Sequence, residues 1–208
     1  MPKSKDRPLL EAILSNIEVA VDSITANEAI AAIPVVGTAF KLCKGLDDIR
    51  SRAFAAKLDA FVSAPDLVKP SVKAKIVQQA QTSPTEARKI GETLLLVLDR
   101  YIDLDKPLIL ARAFVAYLDG VITATELQRL AQAIDIAFAA DLHSLGATDA
   151  PTIQTEWDGA LFPWMETLIP SGLTVSTARG VGVVRPFVEV TLLGRALWRA
   201  LNHVHPEA

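Results

Sequence analysis

Cysteine is almost absent from this chain: Cys43 is the only one in 208 residues. A lone thiol cannot build an internal disulfide framework or a cysteine-cluster zinc site. Charge is sparse too, at 22% of residues, and nearly balanced, giving a net charge of −3 and a pI of about 5.6. Nothing in that balance draws the whole molecule toward nucleic acid or anionic lipid. Long apolar runs are also missing. The longest uncharged stretch of interest, Ala29 to Phe40, holds 12 residues and is divided by Pro34, well short of the roughly 20 needed to cross a bilayer. The opening "MPKSKDRPLLEAIL" carries basic residues, but Glu11 and Glu18 interrupt the apolar segment. A secretory signal is not expected, and a cytoplasmic location, peripheral to the membrane at most, is. What the chain does have is apolar mass. Half of its residues are hydrophobic and mean hydropathy is +0.31, at the upper edge of globular composition. That surplus requires a tight core, an oligomer face or membrane contact.

Helical periodicity accounts for most of the apolar residues. Leu10, Ile13, Leu14, Ile17, Val21 and Ile24 share one face, with Glu11, Ser15, Glu18 and Asp22 opposite, the spacing of an amphipathic helix. Thr25 and Glu28 read as a capping box for a short second helix. That helix must break near Ile33, because Pro34 disfavours helix at the residue before it. The pattern resumes from Val35 to Val62, with Leu58 and Phe61 on the apolar side. Ser83, Pro84 and Glu86 combine an N-cap, a first-turn proline and a capping box ahead of Ile90, Leu94, Leu95, Val97, Leu98 and Tyr101. Asp105 is expected to cap the next helix, whose "LILARAFVAYL" (108–118) bears one charge, Arg112, and reads as buried nearly all round. Thr123 and Glu126 then open one long helix carrying Leu127, Leu130, Ile134, Phe138, Leu142 and Leu145.

Near Gly146 the character changes. "IQTEWDGALFPWMETLIPSGLTV" predicts helix leading into strand; then come the glycine- and arginine-rich "STARGVGVVRP", a β-type "FVEVT" and an amphipathic "LLGRALWRALNHV". Residues about 150–205 resemble a winged-helix module in this order of helix, strand, hairpin, strand and helix. The resemblance implies a shape and carries no activity with it. The fold class expected is mostly α: an antiparallel helical domain over 1–146, followed by a small winged-helix-like α+β subdomain over 147–208.

Few chemistries survive inspection. Gly37 is not followed by the second glycine of a phosphate loop, and Lys44-Gly45 reverses the required order. Aligning Gly120 with the glycine of a calcium loop puts Glu126 in register, but the first ligand positions fall on Val115 and Tyr117. Calcium is therefore not expected, and the stretch reduces to helix–turn–helix. Asp99, Asp103 and Asp105 read as a helix end, a turn and a cap. His143, late on the long helix, reads as a surface or cap residue. His203 and His205 lie in a segment where fraying is expected, with no third ligand close in sequence. Cys43 sits on an apolar helix without a histidine near it, which suits a small core residue. No catalytic arrangement, cofactor site or metal site is assigned. Duplex DNA is disfavoured, since residues 149–208 set four arginines against six carboxylates.

The leading expectation is a non-enzymatic protein–protein interaction or adaptor protein that self-associates. The alternative is a membrane-acting protein using the hairpin 8–45, and a DNA-binding regulator comes third. Candidate partner or membrane contacts are Ile33, Val36, Phe40, Lys41, Lys44, Trp157, Trp164 and Trp198. Residues 26–45 are read as the corner of a helical hairpin with Ile33 and Val36 inward. Burial of such a side chain is worth about 1.5–3 kcal/mol, so Ile33→Asp and Val36→Asp should each lower the melting temperature. Unchanged melting with loss of liposome flotation would favour the membrane reading instead.

Overall fold

A computed structural model describes residues 49–148, 154–156, 163–179 and 185–205. It is mostly helical, with one small antiparallel sheet, and the chain divides into two compact units between Asp99 and Arg100. Among the described residues no helix is long and apolar enough to cross a membrane.

In the first unit, helices α1 (Ile49–Val62), α2 (Pro70–Thr82) and α3 (Pro84–Arg100) follow one another with short turns. Proline at the first position of α2 and α3 suits the helix start, where its missing N–H has no intrahelical acceptor. Leu58, Phe61, Leu67, Val72, Ile76, Ile90, Leu94 and Leu98 are buried, so the apolar faces of α1 and α3 lie where their spacing places them. Lys57 is buried as well, although periodicity alone would leave it in solvent. Its ammonium donates to the Asp99 carbonyl at 2.6 Å, at the C-terminal end of α3. A cation is favoured there because the last carbonyls of a helix lack intrahelical donors.

The second unit begins with α4 (Lys106–Leu118), α5 (Ala124–Ile136) and α6 (Ala139–Ala147). α4 buries Ile109, Leu110, Ala111, Ala113, Phe114, Val115 and Ala116, leaving Arg112 exposed as its composition requires. The helix does start after Asp105, but that residue is helical and its side chain makes no cap; instead Asp103 Oδ1 accepts the Asp105 N–H at 2.8 Å. α4 ends in a Schellman turn. Gly120 takes φ +74°, its N–H donates to Tyr117 O, and the Val121 N–H donates to Ala116 O. Glycine fits because the left-handed conformation costs it nothing. At α5 the Thr123 hydroxyl accepts from the Glu126 N–H, and the Glu126 carboxylate accepts from the Thr123 N–H at 2.7 Å. Both halves of the expected capping box are present.

The long helix expected over 123–145 is two helices. Ala137 and Phe138 are extended, with ψ of 155° and 138°. The break leaves Phe138 exposed, while Ala137, Ala139, Leu142 and Leu145 are buried. No glycine or proline marks it. Beyond the break, α6 packs against α7 (Pro163–Thr167) and α8 (Leu192–Leu201).

The remaining strands are β1 (Gln154–Glu156), β2 (Thr174–Arg179) and β3 (Arg185–Val190), in the spatial order β1-β3-β2, all antiparallel. Helix was predicted to open this region, whereas strand β1 precedes the five-residue α7 and a 3-10 turn, Ile169–Ser171. Thr174 pairs with Val190 and Arg179 with Arg185. Val188, Val190, Leu173 and Met165 face a core shared with Leu197 and Ala200 of α8. α8 also packs on α4 and α5, so the closing elements complete the core that α4 begins. The composition change near Gly146 thus falls inside one compact unit, because a polar loop between two elements need not separate their cores.

The start of α8 is the tightest junction. Thr191 Oγ1 accepts from the Gly194 N–H at 3.1 Å and donates to Gly172 O at 2.8 Å. A Cβ added at Gly194 would stand 2.2 Å from Leu173 O and 2.7 Å from Val190 Cγ1. Since the first obstacle is backbone, Gly194→Ala should destabilise the protein by about 1–3 kcal/mol in urea unfolding; an unchanged midpoint would contradict this packing.

The capping box gives a second expectation. The backbone hydrogen bond from Thr123 holds the Glu126 carboxyl below its usual pKa, against a smaller opposing effect of burial. A depressed folded pKa stabilises above the unfolded carboxylate range and stops doing so as pH falls through the folded value. Thr123→Ala should therefore cost about 1 kcal/mol near neutrality, and less in acid. Equal losses at both pH values would leave the ionised carboxylate without a part in the cap.

Candidate functional site

Two features of the second unit stand apart from ordinary core packing. The first joins the start of α4 to the end of α5. Asp135, one residue from the end of α5, is engaged twice: its carboxylate pairs with Arg100 at 2.6 Å and its carbonyl accepts from Lys106 Nζ at 2.8 Å. Lys106 also stands 5.9 Å from the centroid of the Tyr101 ring, within cation–π range. The Tyr101 hydroxyl reaches Ala131 O at 3.3 Å. Burial, then the nearby Asp135 carboxylate, pushes the Tyr101 hydroxyl far above its ordinary pKa. Burial lowers that of Lys106, with Asp135 and Asp103 opposing. Tyr101 is therefore neutral in the working pH range, and these groups act as a clamp joining the start of α4 to the end of α5.

Large exposed apolar side chains flank the clamp residues in sequence. Ile102 is 98% exposed and Phe138 70%; Leu104, Leu108 and Ile136 are exposed as well. Isolated apolar residues on a surface are common and call for no account. These five come from two segments, 102–108 and 136–138, each within three residues in sequence of Arg100, Tyr101, Lys106 or Asp135, and Lys106 Nζ bonds from the first segment to the Asp135 carbonyl beside the second. Their grouping is what distinguishes them. The extended backbone at Ala137 and Phe138 helps create it, by keeping Phe138 out of the helical register that would bury it.

The second feature lies at the other end of α4. Asp119 caps that helix, and one of its carboxylate oxygens, Oδ2, is 2.6 Å from His203 Nε2 and 2.6 Å from His205 Nδ1. Both histidines follow α8. Asn202 closes that helix, and its side-chain amide donates to Gly146 O at 2.9 Å. The segment expected to fray is thus fastened, and His205 is only 2% exposed. The third donor missing from the local sequence is supplied from 84 residues away. Among the described residues this is the one grouping of three donor side chains placed to hold a metal ion. Asp99, Asp103 and Asp105 are not brought together in such a group.

Of the contacts proposed from sequence, Ile33, Val36, Phe40, Lys41, Lys44 and Trp157 lie outside the described residues, as does Cys43. Trp164 is half-buried on α7. Trp198 is half-buried on α8, and its indole N–H donates to Thr148 O at 2.8 Å, so its polar edge serves the second unit internally. His143 is exposed on α6. Sequence reasoning did not find Ile102, Leu104, Leu108, Ile136 and Asp119. The first two flank a turn of aspartates, and their exposure follows from chain direction that periodicity does not encode. No protein-family model, no curated protein and no solved structure matched the chain.

Proposed function

We propose that this is a non-enzymatic interaction protein, and that it self-associates through the apolar rim formed by Ile102, Leu104, Leu108, Ile136 and Phe138. The observation that carries the reading is the exposure of these five large apolar side chains, each within three residues in sequence of the Arg100–Asp135–Lys106 clamp. An aromatic anchor beside aliphatic neighbours, with fixed charged groups at its margin, is the composition of an interface centre and its edge. The clamp fixes the backbone beneath the rim, so little ordering is needed on association, and preorganisation of that kind favours affinity. High mean hydropathy supports the same reading, because a second copy would cover apolar area left over from the core.

The module after α6 is read as winged-helix-like in shape. The succession α7, β2, hairpin, β3 and α8 supports that reading. With four arginines against six carboxylates in residues 149–208, it serves here as packing for α4 and α5 rather than as a duplex reader.

Light scattering of the full chain at micromolar concentration should give a dimer or larger species. Phe138→Asp together with Ile102→Asp should weaken association by at least about tenfold, as loss of an interface anchor does, and leave the thermal midpoint unchanged at dilutions where both proteins are monomeric, because both positions are exposed in the single chain. A monomeric wild type would overturn self-association. Liposome flotation that survives in the double variant would favour the membrane-acting alternative through residues 8–45.

A further inference from the structure

The geometry points to a site for a divalent transition-metal cation of the zinc class, formed by Asp119 Oδ2, His203 Nε2 and His205 Nδ1. The three donor atoms lie within 4.8 Å of one another. They are delivered by two fixed pieces of backbone. Asp119 is held by the Schellman turn that ends α4, its N–H bonded to Val115 O at 3.0 Å. His203 and His205 follow the anchored Asn202 with one residue between them. Val204 between them is 82% exposed, whereas both histidines turn toward Asp119.

Electrostatics favours a cation at this point. The Asp119 carboxylate is only 4% exposed and sits at the negative end of α4, where helix carbonyls repel an anion. A buried carboxylate in that position requires compensating charge or donors. Two imidazoles converging on a single oxygen at 2.6 Å are closer than the usual range of about 2.7–3.2 Å for N–H···O bonds. A metal ion coordinated by all three at about 2.0–2.2 Å opens each O···N separation to roughly 3.3 Å in tetrahedral geometry. It also draws the two histidine nitrogens toward each other. Those are side-chain adjustments of under an ångström at Asp119. Each ring must then present a lone pair at the donor atom, carrying any proton on its other nitrogen.

The donor set selects the class of ion. Two imidazole nitrogens and one carboxylate suit zinc and its first-row neighbours; calcium and magnesium prefer oxygen alone. Three protein ligands leave a coordination position for water or a further group. Bound there, the ion would tie the segment after α8 to the turn between α4 and α5, closing the second unit at its far end from the apolar rim.

The test uses untagged full-length protein, stripped with chelator and titrated with zinc chloride against a chromophoric chelator near neutral pH. One zinc per chain, a thermal midpoint raised by several degrees, and a visible ligand-field band on cobalt substitution are expected. His203→Gln, at the most exposed of the three ligands, should weaken zinc binding by at least about tenfold, and His143→Gln should leave it unchanged. Absence of stoichiometric zinc from wild type, with a midpoint indifferent to zinc and chelator, would overturn the proposal and identify the cluster as a hydrogen-bonded clasp. Equal losses in His143→Gln and His203→Gln would also overturn it. Because the deciding titration is made on wild type, it stands even if a ligand variant fails to fold.

Discussion

α4 buries almost its entire circumference, and a helix so enclosed cannot leave its ends to water. Its four leading N–H groups and four trailing carbonyls need partners within the protein. The second unit is arranged around meeting that need. At the C-terminal end Gly120 turns the chain and lets two following N–H groups satisfy the carbonyls of Ala116 and Tyr117. At the other end the polar residues before and within the first turn are committed elsewhere. Asp103 takes the Asp105 N–H, and Lys106 reaches across to Asp135. The clamp and the Asp119 cluster are therefore two ends of one constraint, and the features that invite a functional reading sit where the buried helix emerges.

α8 depends on the same helix. Its apolar residues Ala196, Leu197 and Ala200 are buried, and it packs on α4 and α5 as well as on the strands. Gly194 permits its first turn to lie against the backbone of Leu173, and Thr191 ties that turn to Gly172. At the far end Gly146 and Leu201 are in close contact, and Arg199 pairs with Glu126 at 3.3 Å. That pair is largely exposed and contributes little. The position of α8 rests on apolar burial and on two glycines rather than on charge.

Local chemistry was legible in the sequence wherever it ruled alone. The Thr123–Glu126 box, the Gly120 turn, the start of α3 at Pro84 and the enclosed face of "LILARAFVAYL" all follow from residue type and spacing, and the structure has each of them. The misreadings share a cause. The end of α5 at Ile136 has no glycine, proline or cap before it; the extended pair at Ala137 and Phe138 follows from where Leu142 and Leu145 must go, and so from tertiary packing. Lys57 and Lys106, on which spacing says nothing, are buried where their ammonium groups donate to carbonyls near the ends of other helices. Asp105 marks a helix start without capping it: its own backbone is already helical, where a capping residue is extended. The Asp119–His203–His205 cluster joins residues that no local pattern links. Of the candidate site, the two histidines were visible as an H-x-H pair, but the carboxylate between them was not.

The Asp119 contacts span 84 and 86 residues, and α4 meets α8 across a similar stretch of chain. During synthesis α4 therefore appears long before the helix that covers one of its sides. At translation rates of roughly 5–20 residues per second, that interval is on the order of 4–17 s. Through that time a helix with a single charged residue between Leu108 and Leu118 has an uncovered apolar side in the crowded cell. Arg112, the charge that keeps one edge of α4 wet in the finished protein, is also what keeps the waiting helix from being apolar all round. The exposure ends only when the last helix and the two histidines after it arrive.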